Sequence, residues 1–200
     1  MKSIVNLWLA IAVWLCAPSE ASLCDDCNLS CSWYDPWCNA KKGTCISAGS
    51  VFRDWITVVN AACGRSSLSS SDFSKLRAAK DLLVEEGILT RSAVDGVTYR
   101  FCNHIDIDGG TAGFTASRST VYFDDRLRSW STKSLAALMA HEVKHTQQYS
   151  RWGSNGFACR YSGQIARFNG FKCDNYIENE AYRFSDWARD VFGIRGHQGC

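Results

Sequence analysis

Residues 137–148 read Ala-Leu-Met-Ala-His-Glu-Val-Lys-His-Thr-Gln-Gln and lie in a helical pattern that extends from about Thr132 to Tyr149. His141 and His145 are four positions apart, so on a helix their side chains leave about 40° apart and one turn from each other. Two imidazoles placed in this way suit one tetrahedral zinc ion. The stretch therefore predicts a helix that carries two ligands of a Zn²⁺ site.

Glu142 is the third residue of this motif with an expected chemical role. It projects about 60° beyond His145, which brings its carboxylate near a zinc-bound water without forcing it to bind the metal. Zinc lowers the pKa of its water toward neutrality, and a neighbouring carboxylate accepts the proton and later passes it on. Glu142 is therefore the predicted catalytic residue, first as general base and then as general acid.

A third protein ligand is needed because catalytic zinc sites combine three protein ligands with a water. A second helix, predicted over about residues 175–192 with Asp174 as its cap, offers Glu178 and Glu180. Glu178 lies beside the apolar face of this helix, whereas Glu180 is rotated by about 200° from Glu178 toward solvent. The pattern favours Glu178 and leaves Glu180 as the alternative. The apolar face has helical spacing and consists of Ile177, Ala181, Phe184, Ala188 and Val191.

The segment His141–Gln148 with its flanks resembles the active-site helix of gluzincin-type zinc metallopeptidases. It is most similar to a small bacterial group whose motif continues into Gln-Gln, the domain of unknown function 4157 or extracellular contractile injection system core domain. In that group a strand precedes the helix, as residues 120–123 do here. A later helix supplies the third ligand in a Glu-x-x-Ala pattern followed by Asp or an aromatic residue, which Glu178 matches with Ala181 and Tyr182 behind it.

The resemblance covers about residues 110–190. It implies an α+β, zincin-like fold in which the active-site helix and the ligand helix pack on a small sheet. It also implies a zinc-dependent enzyme that hydrolyses peptide bonds, with the two histidines and Glu178 on the metal. Glu180 matches the rival Asn-Glu-Ala arrangement of thermolysin-like enzymes, although Phe184 stands where those enzymes have Asp.

Two further roles are expected around the metal. The oxyanion that develops in the transition state needs a hydrogen-bond donor, and Tyr182, Tyr161 and His197 are the candidates. Gln148 lies about one turn beyond His145 on the metal-facing side of its helix. Its side chain is expected to form a hydrogen bond to a metal ligand or a contact with another helix.

The N-terminus predicts export. A short apolar run over residues 4–16 follows Lys2, and a small-x-small cleavage pattern ends at Ala21. The run is too short for a comfortable membrane span, so residues 1–21 are interpreted as a cleaved signal peptide, with an uncleaved anchor as the alternative. We therefore expect a secreted or periplasmic protein without a stable membrane anchor.

The cysteines agree with an oxidising compartment. The chain contains 11 Cys, of which ten remain after removal of residues 1–21, an even number compatible with five disulfides. Residues 22–48 hold half of these ten and form a Cys-rich N-terminal segment, which cannot build an apolar core and needs covalent cross-links. Residues 49–200 are left as the predicted metallopeptidase domain.

This domain contains further helical and extended patterns ahead of the motif helix. Apolar spacing predicts helices over about residues 51–62 and 72–86, and alternation predicts strands over residues 97–101 and 120–123. Gly113 lies between the two strands with other glycines, and this cluster indicates turns.

Composition supports a folded domain and excludes some partners. Hydrophobic residues make up 46% of the chain and charged residues 21%, with a net charge of +2. This balance argues against disorder and provides no polybasic signal for nucleic acid. The expected partner is a protein or peptide substrate.

Two alternatives stay open. In the first, the chain is a secreted cysteine-rich binding or toxin-like protein on a zincin scaffold without turnover, and Trp33, Tyr34 and Trp37 form an exposed recognition patch. That alternative does not need Glu142, which the chain contains. In the second, residues 22–48 are an inhibitory or targeting segment attached to an active peptidase.

Overall fold

Helices and a small sheet make up the described part of the chain. The computed structural model describes residues 54, 56–64, 67–103, 112–168 and 175–196, and of residues 162, 163 and 165–168 only the backbone. The elements in chain order are α1 (residues 56–63), α2 (Ser70–Glu85), α3 (Arg91–Asp95), β1 (Thr98–Cys102), β2 (Gly113–Ser117), β3 (Thr120–Asp124), a 3-10 helix (Asp125–Ser129), α4 (Thr132–Phe168) and α5 (Tyr176–Phe192). The fold is of the mixed α+β class that the sequence predicts.

β3 is the central strand of the sheet, which has the order β1-β3-β2. β1 runs parallel to β3 with Phe101 opposite Phe123, and β2 runs antiparallel to β3 with Thr115 opposite Val121. β1 and β3 confirm the two predicted strands with small shifts of their ends. The turn expected at Gly113 is wrong, because this glycine begins β2.

α2 starts at Ser70 because a capping box closes its first turn. The Ser69 hydroxyl accepts a hydrogen bond from the N–H of Asp72 at 3.2 Å, and Oδ2 of Asp72 accepts one from the N–H of Ser69 at 2.9 Å. The predicted helix is therefore confirmed with an earlier start. Phe73 is not part of the buried face of α2, since it is 62% exposed.

α4 carries the motif residues. Ser131 caps it, because the Ser131 hydroxyl accepts a hydrogen bond from the N–H of Ser134 at 3.1 Å. Gly153 interrupts the helix with φ of 70° and ψ of 169°, a conformation that is essentially restricted to glycine. The predicted end of the helix near Tyr149 is wrong, because helical residues continue beyond Gly153 to Phe168.

α5 is capped by Asn175, which is completely buried. Its Oδ1 accepts hydrogen bonds from the N–H groups of Ile177 at 3.0 Å and Glu178 at 3.4 Å. The predicted cap, Asp174, lies outside the described residues. Val191, which the sequence assigns to the apolar face, is 40% exposed at the end of the helix.

The described residues form two compact units. In one, formed by residues 58–147 and 179–196, the sheet and helices share an apolar core. The other contains the described part of residues 148–178, where the ring of Tyr149 stacks on that of Phe157 with centres 3.9 Å apart. The largest completely buried side chains of the first unit include Leu83, Phe101, Phe123, Leu127, Leu135 and Met139.

Cys63, at the end of α1, forms a disulfide with Cys102, at the end of β1. Cys159 is buried in α4. The other cysteines of the expected disulfides, the predicted signal peptide and the Cys-rich segment 22–48 lie outside the described residues. Within the part of the chain that is described, no helix has both the length and the apolarity to cross a membrane.

Candidate metal centre

His141 and His145 face each other across one turn of α4. Both are buried, with 7% and 5% of their surfaces exposed, and their Nε2 atoms are 3.1 Å apart. Two nitrogens bound to one tetrahedral zinc at about 2.0–2.1 Å would be about 3.4 Å apart. The histidine pair therefore lies close to the geometry of two ligands on one ion.

Glu178, in the first turn of α5, completes a buried group of three potential ligands. It is 4% exposed, and one ligand atom from each of Glu178, His141 and His145 lies within 4.8 Å of the other two. Two imidazoles and a carboxylate are donors that zinc and other first-row divalent metals accept. This buried His-His-Glu group could bind a metal ion.

Hydrogen bonds hold Glu178 and the start of α5. The hydroxyl of Tyr161 donates to Oε1 of Glu178 at 2.7 Å, and Nε2 of the buried Gln148 donates to the backbone oxygen of Ile177 at 3.0 Å. Asn175 adds the capping bonds described above. Gln148 therefore contacts α5 one residue before Glu178. Hydrogen bonds to a ligating side chain fix its orientation and raise its basicity.

Glu180, the alternative ligand, forms an ion pair with a lysine. One of its carboxylate oxygens lies 2.8 Å from Nζ of Lys144, whose side chain is only 9% exposed. The ammonium group also lies 4.8 Å from the centre of the Phe184 ring. A buried ammonium group is costly without an anionic partner, and Glu180 supplies one. Glu180, which the sequence directs toward solvent, is 33% exposed and is paired with Lys144.

Glu142 is buried on the same helix as the histidines, and its carboxylate faces β2. Oγ1 of Thr115 lies 2.7 Å from Oε2 of Glu142 and 3.0 Å from its backbone oxygen. Gly113 approaches the other carboxylate oxygen so closely that a Cβ atom built on it would lie 2.5 Å from Oε1. Sequence reasoning missed both residues, although a glycine within a strand is a known signal of close approach.

The predicted oxyanion donors are divided between described and undescribed residues. The ring centre of Tyr182 lies 4.7 Å from that of His141. The hydroxyl of Tyr161 is the donor to Glu178 already described. His197 lies outside the described residues.

Comparison of the chain with protein-family models, with curated proteins and with solved structures gives no match in any of the three. The similarity to gluzincins therefore depends on the residues of the motif and of α5 alone. Chemically, the arrangement offers a group of metal donors and one further buried carboxylate, Glu142, next to His141 in the sequence. A metal ion and a nearby carboxylate together can activate water for hydrolysis.

Proposed function

We propose that the chain is an exported zinc-dependent peptidase of zincin-like fold, in which His141, His145 and Glu178 hold Zn²⁺ and Glu142 is the general base and acid. One observation carries the proposal. The three potential ligands form a buried group, and Glu142 is buried on the helix that supplies two of them. Three protein ligands leave one position open on the ion, as in catalytic rather than structural zinc sites.

The donor chemistry of the group suits a cation at its centre. One divalent cation can bind two imidazole nitrogens and a carboxylate together. When bound, zinc polarises the substrate carbonyl and lowers the pKa of a water molecule toward neutrality.

Glu142 moves the proton during hydrolysis. Its carboxylate takes a proton from the attacking water, whose oxygen forms a bond to the carbonyl carbon of the peptide. The C–N bond then breaks, and Glu142 returns the proton to the leaving nitrogen, so that it ends in its starting state. Tyr182, beside His141, is the better placed of the two described tyrosines to donate to the oxyanion, because the Tyr161 hydroxyl is directed at Glu178.

Chain order and the observed disulfide support the remaining parts of the proposal. β3 precedes α4, and α5 carries Glu178 with the buried Ala181 behind it, in the order that the gluzincin resemblance implies. The Cys63–Cys102 disulfide agrees with an oxidising compartment outside the cytoplasm.

Metal analysis and peptide cleavage by the purified full chain test the proposal. We expect about one zinc per chain and cleavage of unstructured peptides, detected by mass spectrometry. Glu142→Gln should retain zinc and lose about a hundredfold or more of the activity, while Glu86→Gln, at an exposed position, should behave as the wild type.

Failure of the wild type to bind zinc would overturn the proposal, as would full activity of Glu142→Gln. A chain that binds zinc but cleaves no peptide would favour the binding protein on a silent scaffold.

A further inference from the structure

β2 brings two residues against the carboxylate of Glu142. Thr115 is 4% exposed, and its hydroxyl lies 2.7 Å from Oε2. Gly113, two residues earlier on the same strand, lies beside Oε1. One strand at an edge of the sheet thus contacts both oxygens of the proposed general base.

The Thr115 hydroxyl has one proton and two acceptors within reach. The backbone oxygen of Glu142, at 3.0 Å, lies inside α4, where the N–H four residues on is its ordinary partner. The carboxylate oxygen is the closer acceptor and also the charged one, and charge-assisted O–H···O bonds are shorter and stronger than neutral ones. The stronger hydrogen bond of the hydroxyl is therefore the one to Oε2.

The carboxylate of Glu142 packs against Gly113 more closely than a residue with a side chain would allow. A Cβ atom at this position would lie 2.5 Å from Oε1 and 3.0 Å from the carboxyl carbon of Glu142, too close for non-bonded carbon. The missing side chain therefore lets β2 lie against Oε1 without displacing the carboxylate. Because the Thr115 hydroxyl engages Oε2, Oε1 is the oxygen left to exchange a proton with a water or a peptide nitrogen at about 2.6–3.2 Å.

We propose that Thr115 is a positioning residue for Glu142, and that its hydroxyl engages Oε2 so that Oε1, beside Gly113, takes up and returns the proton. The inference rests on the proposed peptidase function. Thr115 acts only through Glu142, by restricting rotation of the carboxylate. A reacting group displaced by about 1 Å can lose about a hundredfold in rate, so the restriction has a measurable effect on turnover.

Thr115→Val is the decisive variant, because it keeps the shape and strand propensity of the side chain and removes the donor. Thr115→Ser keeps the hydroxyl, and Thr98→Val removes an exposed threonine hydroxyl from β1 as a matched control. In the zinc-loaded full chain, Thr115→Val should lower kcat by about tenfold or more, with KM and zinc content unchanged. Thr115→Ser should retain most of the wild-type kcat, and Thr98→Val all of it. Equal losses in the Val and Ser variants, or a change in KM alone, would overturn the proposal.

A second measurement is independent of activity. In the metal-free chain, the urea midpoints of the wild type, Thr115→Val, Glu142→Gln and the double variant form a double-mutant cycle. Shifts that do not add support a direct contact, whereas additive shifts overturn the proposal even in an active enzyme. If the shifts do not add and the wild type cleaves no peptide, the contact stands but the peptidase function fails, and with it the proton-transfer role of Oε1. The two failures are thus distinguishable.

Discussion

The hydroxyl of Tyr161 donates to Oε1 of Glu178, and this bond orients a carboxylate that is 4% exposed. Tyr149, also on α4, has a buried hydroxyl that finds no hydrogen-bond partner among the described residues. We expect Tyr161→Phe to weaken zinc binding by about tenfold or more, because it removes a hydrogen bond that fixes a ligand. Tyr149→Phe should leave zinc affinity unchanged. Competition with a chromogenic chelator measures both constants, and equal constants for the two variants would contradict the role given to Tyr161.

Glu178 and Glu180 are two positions apart on one helix and should respond differently to the same substitution. Glu178→Gln removes a charged donor from the buried group, so we expect zinc affinity to fall by about tenfold or more. Glu180→Gln should keep the metal but cost on the order of 1 kcal/mol in unfolding free energy, because the buried Lys144 loses its anionic partner. Metal content and urea unfolding separate the two effects. Loss of zinc from Glu180→Gln alone would reassign the third ligand.

The histidines and Glu142 can be predicted from sequence because their relative directions depend only on the geometry of one helix. Glu178 is predicted from the apolar face of its own helix with the added help of a family pattern. The partners of these residues are not predictable in this way. The sequence around Lys144 indicates only an ordinary polar residue of a helix. Its ion pair with Glu180 depends on how two helices approach each other, and local spacing in the sequence does not determine that approach.

At the scale of secondary structure, the start of α2 is held by an ion pair to the 3-10 helix. Asp72 closes the capping box of α2, and Arg128 binds its carboxylate. Burial by itself raises the pKa of Asp72, but the hydrogen bonds from Arg128 and Ser69 outweigh burial and hold the pKa below its usual value. The ionised form of Asp72 is therefore stabilised by folding.

Because the folded-state pKa of Asp72 is lowered, its contribution to stability is complete above the unfolded-state pKa, about 3.9, and is lost as the pH falls through the folded-state value. We expect Asp72→Asn to cost about 1 kcal/mol in unfolding free energy near neutral pH, from loss of the ionised cap. The difference from the wild type should shrink below about pH 4. Urea unfolding of both chains across this pH range measures the difference in unfolding free energy. A difference independent of pH would contradict the stabilising role of the ionised Asp72 carboxylate.

Helices α2, α4 and α5 follow from apolar spacing, because each buries one face against a core. β2 does not follow from any local signal, since its sequence Gly-Phe-Thr-Ala-Ser contains a single large apolar side chain and lacks the alternation typical of a strand. Its formation depends on pairing with β3 and on the approach of Gly113 to Glu142, which are both tertiary contacts. The helical residues beyond the kink at Gly153 are not predicted from the sequence, since their apolar periodicity is weak.

At the scale of the whole molecule, the proposed zinc binding would be linked to folding. The potential ligands come from two helices, so the unfolded chain does not hold them together and an ion bound to them would favour the native chain. Selective binding stabilises a protein by about 2.7 kcal/mol when the free ion is at 100 times its dissociation constant. Stability should therefore depend on the concentration of free zinc.

We expect zinc at that excess to raise the thermal midpoint of the metal-free chain by roughly 5–10 °C and a chelator to reverse the change. The rise should continue with the logarithm of free zinc, since each further tenfold adds the same free energy, about 1.4 kcal/mol. In His145→Ala the rise should be much smaller, because only two members of the buried group remain to bind the ion. Glu180→Gln should start from a lower midpoint but show the wild-type rise, since Glu180 pairs with Lys144. Scanning calorimetry at several zinc concentrations measures all three chains. A rise of wild-type size in His145→Ala would mean that the stabilising ion binds outside the His-His-Glu group.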